Sequence, residues 1–86
     1  MRTYPLIISS PDGDVFRGDA VSISLRGVEG EFAILAGHVP FVTSVKPCKC
    51  VLELEDEVKE GKTDGGILTV SHDNVTFLTG SIEWND

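Results

Sequence analysis

Basic residues are scarce: 7 Lys and Arg stand against 14 Asp and Glu, leaving a net charge of −7. That balance opposes approach to a phosphate backbone or an anionic bilayer, so nucleic acid is not the expected ligand. No apolar run nears the roughly 20 residues of a membrane-spanning helix, the longest being stretches such as Phe32-Ala33-Ile34-Leu35-Ala36, and no direct membrane insertion is expected. Leu6-Ile7-Ile8 is too short for a signal-peptide core, which gives the expectation of a cytosolic site. Cysteine is limited to Cys48 and Cys50, one residue apart rather than spaced as a disulfide framework. Alanine is limited to 3 residues, whereas Val numbers ten, Ile six and Thr six, an excess of β-branched side chains that favours pleated structure over helix.

At 86 residues the chain is expected to form one domain, residues 1–86. Short apolar or alternating runs recur about every ten residues between Gly, Pro, Asp and Asn, the pattern of a sandwich or barrel. Eight or more strands are expected. The first covers Thr3 to Ser9 and ends in the turn Ser10-Pro11-Asp12-Gly13, after which Asp14 to Arg17 resumes extended structure. Val21, Ile23 and Leu25 alternate with Ser22 and Ser24, predicting one buried and one wetter face. Further strands are expected over Glu31–Leu35, Phe41–Val45, Cys50–Glu55, Ile67–Val70 and Val75–Thr79. Asp56 to Asp64 holds six charged residues in nine and reads as a solvated connection. No sustained helical periodicity, repeat or low-complexity tract appears.

Few residues offer chemistry. Cys48 and Cys50 are two thiols without a second ligand pair, short of the four ligands of a closed zinc site, and their parity with Leu52 and Leu54 reads as two small buried hydrophobes. The acidic run Glu53, Glu55, Asp56, Glu57 and Glu60 lacks the spacing of a calcium loop and reads as a solvated edge. His38 lies in a loop between the turn formers Gly37 and Pro40, with no nucleophile or carboxylate singled out beside it, and reads as exposed for packing or partner contact. Gly27 to Gly30 is followed by a strand, so no helix N-terminus is there to hold a phosphate. No catalytic, cofactor or metal site is expected.

The run Gly30-Glu31-Phe32-Ala33-Ile34-Leu35-Ala36-Gly37-His38-Val39-Pro40, followed by Thr43 and Lys46-Pro47, resembles the signature of the epsilon subunit of F-type ATP synthases. The likeness extends to Phe16 with Gly18, to Gly65-Gly66-Ile67-Leu68 and to Asn74-Val75-Thr76 before Phe77-Leu78. It implies an all-β, antiparallel sandwich of about ten short strands. It also implies a non-catalytic rotor part, bound beside the gamma subunit and resting on the c-ring at the cytoplasmic face of a bacterial inner membrane. By that resemblance Glu29, Gly30 and Glu31 face the c-ring, Ser10, His38 and Thr43 face gamma, and Gly37 and Pro40 shape the loop between.

The sequence departs from the family pattern in three places. Ala36 replaces the usual proline before Gly-His, removing a φ restriction. Cys48 replaces the glycine that often follows Lys-Pro. The family's C-terminal helical hairpin, which carries its autoinhibition, has no counterpart before Asp86, and a naturally short subunit is the expectation. The alternatives are a stand-alone binding sandwich that no longer joins the complex, and a small metal- or redox-dependent enzyme using Cys48, Cys50 and a histidine.

Overall fold

The computed structural model describes residues 2–85, which form ten strands and no helix. These are β1 (Tyr4–Ser10), β2 (Gly13–Ala20), β3 (Ser22–Gly27), β4 (Gly30–Leu35), β5 (Phe41–Val45), β6 (Cys48–Glu53), β7 (Val58–Thr63), β8 (Gly66–Val70), β9 (Val75–Thr79) and β10 (Ile82–Trp84). They assemble into two five-stranded sheets, β2-β1-β9-β8-β5 (sheet 1) and β10-β7-β6-β3-β4 (sheet 2). Every pairing is antiparallel except β1 with β9, which is parallel. The all-β sandwich expected from composition and resemblance is the fold observed.

The core follows from the period of two. Leu6 and Ile8 of β1, Ile23 and Leu25 of β3, Cys50 and Leu52 of β6, Leu68 and Val70 of β8, and Val75 and Phe77 of β9 all point between the sheets. Each of the aliphatic and aromatic side chains among them contributes about 1.5–3 kcal/mol by leaving water. Ser22, expected on the wetter face, is buried at the start of β3, where its hydroxyl lies 3.4 Å from Glu53.

The charged stretch Asp56 to Asp64 is corrected from connection to strand. Residues Val58–Thr63 pair with β6 on one side and β10 on the other. Its inward-facing positions are Lys59, Gly61 and Thr63, the last two buried, so the core face carries no apolar signal. Glu60 and Lys62 stand outside, where Lys49 Nζ meets Glu60 Oε1 at 2.7 Å, while Lys59 Nζ lies 4.9 Å from the Trp84 ring centre. The true connection is the shorter Leu54 to Glu57, closed by the Leu54 N–H donating to the Glu57 carbonyl.

A buried polar cluster ties the sheets together at one end. Thr79 Oγ1 of sheet 1 lies 2.7 Å from Thr63 Oγ1 of sheet 2, 2.7 Å from the Gly65 carbonyl and 3.1 Å from Asp64 Oδ1. The Ser81 N–H donates to Asp64 Oδ1 at 2.9 Å, and this bond, with the Thr79 hydroxyl, holds the Asp64 carboxyl below the ordinary aspartate value. A depressed folded-state pKa contributes stability above the unfolded value and loses it as pH falls through the folded one. Stability should therefore decline on acidification from about one unit above the ordinary value of 3.8 downward. Asp64→Asn should flatten that acid limb in urea titrations at successive pH values; an unchanged limb would assign it to other carboxylates.

Candidate partner-binding surface

Two surfaces distinguish this sandwich. The first is a groove of about 970 Å³ along β4 and β5 and the loop joining them. Glu29, Gly30, Glu31, His38 and Thr43 all line it, so five of the six partner-contact candidates share one depression. Glu29 sits at the two-residue tip of the β3–β4 hairpin, where Gly27 pairs with Gly30. Glu31 follows on the exposed side of β4, with Arg26 Nη2 4.0 Å from its carboxylate. Val28, Leu35 and Val39 expose 69%, 57% and 73% of their surface, so the groove's margins are apolar.

His38 is not the freely exposed loop residue expected. It is half-buried, with Nδ1 2.8 Å from the Leu35 carbonyl and Nε2 3.2 Å from the Ser71 carbonyl. The Tyr4 ring meets it edge-on, with centroids 5.2 Å apart. The Tyr4 hydroxyl donates to the Ile34 carbonyl at 2.7 Å, and burial raises its pKa well above the ordinary value. The imidazole thus pins the β4–β5 loop to sheet 1. Gly37 beside it has φ +85°, a conformation available cheaply to glycine.

The second surface is the outer face of sheet 1. Register aligns Val42, Thr69, Thr76 and Ile7 in one row, and Ser44, Ile67, Leu78 and Ser9 in the next. Four strands thus present eight side chains without a single charge. Val42, Leu78 and Ile67 are 66%, 52% and 43% exposed, high values for branched aliphatics. At the border both rows end on β2 in Arg17 and Asp14, which neutralise each other across 2.9 Å.

Ser10 lies outside the groove, at the far end of β1 from Tyr4 and therefore from His38. Six residue steps of strand separate Tyr4 from Ser10, roughly 20 Å. Ser10 closes the Pro11-Asp12 turn, accepting a bond from the Asp12 N–H at 3.3 Å. Thr43 points inward from β5 opposite Leu68, and Pro40 immediately precedes β5. The eight uncharged outer positions run across the strands from β1, which carries Ser10, to β5, which carries Thr43. Those two aliphatic rows were not singled out in the sequence, because only sheet register brings Ile7, Val42, Ile67 and Leu78 together.

The two cysteines separate in environment. Cys50 is fully buried, and burial with Cys48 nearby pushes its thiol up to about 12, so it stays protonated at neutral pH. Cys48 is only half-buried, a correction to the expectation that both are core, because it stands at the mouth of β6, where its sulfur accepts the Arg26 N–H at 3.3 Å.

Residues 3–85 match the family model of the ATP synthase delta/epsilon chain β-sandwich domain. The chain belongs to that family. Among its curated relatives are the ATP synthase epsilon chains of Clostridium perfringens strain 13, 34% identical over 98% of this chain, and of Bacillus pumilus, 35% identical over all of it. The epsilon chain of Wolbachia pipientis is 33% identical over 96% of this chain and 74% of its own length. The chain spans 64% of the Clostridium relative and 66% of the Bacillus one. The same sandwich occurs in the cryo-EM structure of the Euglena gracilis mitochondrial ATP synthase OSCP/F1/c-ring, with a TM-score of 0.88 and 24% identity over 95% of this chain and 53% of that one. It recurs in the central stalk/c-ring structure of the Tetrahymena thermophila enzyme, with a TM-score of 0.84 and 15% identity over 95% of this chain and 66% of that one.

Proposed function

We propose that this epsilon-type domain is a non-catalytic part of the central stalk of a bacterial F-type ATP synthase. It docks on the gamma subunit and reaches the c-ring at the cytoplasmic face of the inner membrane. The observation that carries this reading is the uncharged outer face of sheet 1, which runs from β1, the strand of Ser10, to β5, the strand of Thr43. A chain with net charge −7 that keeps eight adjacent outward positions free of charge has a surface suited to burial against another protein. A close-packed double sheet also resists shear, so torque passing between ring and gamma meets little elastic loss.

Calorimetric titration of the chain into gamma from the same genome, at two salt concentrations, tests the reading. Saturable binding near one to one is expected, with little change in affinity between the two, because the proposed contact carries no charge. No binding by a chain that is demonstrably folded would favour a stand-alone sandwich instead.

Glu29, Gly30 and Glu31, at the β3–β4 hairpin end of the groove, are the proposed c-ring contact. Glu31→Lys should weaken docking on the isolated ring while leaving affinity for gamma within about twofold, since reversing an exposed charge alters one interface without touching the core. Equal loss of both contacts in pull-down assays would place Glu31 elsewhere.

A further inference from the structure

The four sheet edges are not equally guarded. The β2 edge carries Asp14, Arg17 and Asp19 and shifts register opposite Ile8 and Ser9, features that deter strand pairing. The β10 edge is three residues long. The β5 edge is partly covered, because the Lys46 N–H immediately after it donates to the Arg26 carbonyl of β3 at 2.9 Å. The fourth edge, β4, carries no proline and no lysine, and Glu31 is its only charge.

The direction of the β4 backbone groups follows from Arg26. Its N–H donates to Cys48 Sγ and its carbonyl accepts from Lys46, so both turn away from β4. Arg26 and its partner Glu31 are therefore a non-hydrogen-bonded pair, and antiparallel alternation makes Ser24–Ala33 and Ser22–Leu35 non-bonded pairs too. The N–H and C=O groups of Glu31, Ala33 and Leu35 consequently face the open edge. Of these, the Leu35 carbonyl is engaged by His38 at 2.8 Å. All three side chains are exposed.

The geometry points to β4 as an acceptor for an extended segment of a partner protein, added as a sixth strand of sheet 2. Antiparallel addition would set a basic residue of that segment against Glu31, a bulky residue over the small Ala33 and an apolar residue against Leu35. A second copy of this chain fits poorly. Two copies related about Ala33 would each place the Glu31 carboxylate against Leu35, and their net charges of −7 repel. The inference rests on reading the β4–β5 groove as a partner surface, not on which subunit docks there.

Amide hydrogen exchange on the labelled chain tests it, with millimolar acetyl-Val-Thr-Val-Thr-Lys-amide as one probe and the gamma subunit as another. In the free chain the Glu31, Ala33 and Leu35 amides should exchange fast while Phe32 and Ile34, bonded to β3, are protected. Added peptide should protect the first three and leave the other two unchanged. Ala33→Pro removes one outward N–H at a position where an edge strand tolerates proline, and should weaken peptide binding about tenfold or more with the fold retained. If that variant fails to fold, the wild-type exchange pattern still decides. Gamma binding with β4 left unprotected, and no effect of the peptide, overturns the strand addition and leaves the rotor reading standing. Protection by the peptide without any gamma binding does the reverse. Protection in the free chain that grows with its concentration assigns the edge to a second copy and overturns the proposal.

Discussion

Gly65→Ala is expected to lower the melting temperature by about 10–20 °C, the equivalent of roughly 3 kcal/mol in a domain of this size. Gly65 has φ +97°, and a Cβ there would lie 2.5 Å from the Val45 carbonyl oxygen and 3.1 Å from the Lys46 carbonyl carbon. Neither atom is free to retreat. Val45 ends β5 opposite Gly66, and Lys46 is held to β3 through the Arg26 carbonyl. The substitution combines backbone strain with a main-chain clash, where most glycine substitutions bring only one of these. Gly13→Ala is the control, because Gly13 has φ +125° but nothing within 4 Å of the added carbon, so strain alone should cost about 1 kcal/mol. Circular-dichroism melts of both variants measure the difference. Equal shifts would mean that the Val45–Pro47 backbone relaxes around the new methyl group.

The same corner explains why some of the fold was readable in the sequence and some was not. Strands built from β-branched runs, such as Val75–Thr79 and Phe41–Val45, carry their own signal, since the period of two and the bounding turns are local. β7 does not, because its inward-facing residues are Lys59, Gly61 and Thr63, none of them aliphatic, and Glu60 and Lys62 point outward. Gly61 owes its identity to a neighbour far away in sequence: a Cβ there would strike the Glu83 carbonyl of β10. The parallel contact of β1 with β9 joins residues nearly seventy apart and leaves no local trace. Turn chemistry places the β3–β4 tip correctly, with Glu29 in the exposed turn and Gly30 and Glu31 opening β4. His38 is a different case. Its sequence neighbours show a loop, but the Ser71 carbonyl and Tyr4 ring that half-bury it come from the β8–β9 turn and from β1. The same nonlocality hides the uncharged face, whose four aliphatic residues come from four strands.

That face yields the largest functional effect. Leu78→Asp should weaken binding to gamma by about thirtyfold or more, roughly 2 kcal/mol, the scale of a central contact residue in a protein interface. Leu78 is 52% exposed and points away from the core, so a carboxylate there stays hydrated in the free chain and the melting temperature should barely move. In the complex the same carboxylate is stripped of water between Ile67 and Ser9, the neighbours that register sets beside it, with no cation in either row to pair with. Arg17, the nearest basic residue at the border, is already engaged by Asp14 at 2.9 Å. Thr69→Ser, one strand over on the same face, removes a methyl group without adding charge and should change affinity less than threefold. Calorimetry of both variants against gamma separates the outcomes. An affinity for Leu78→Asp within twofold of the parent chain would mean that gamma contacts the sandwich without covering sheet 1, and the groove along β4 and β5 would then be the remaining surface large enough to hold it.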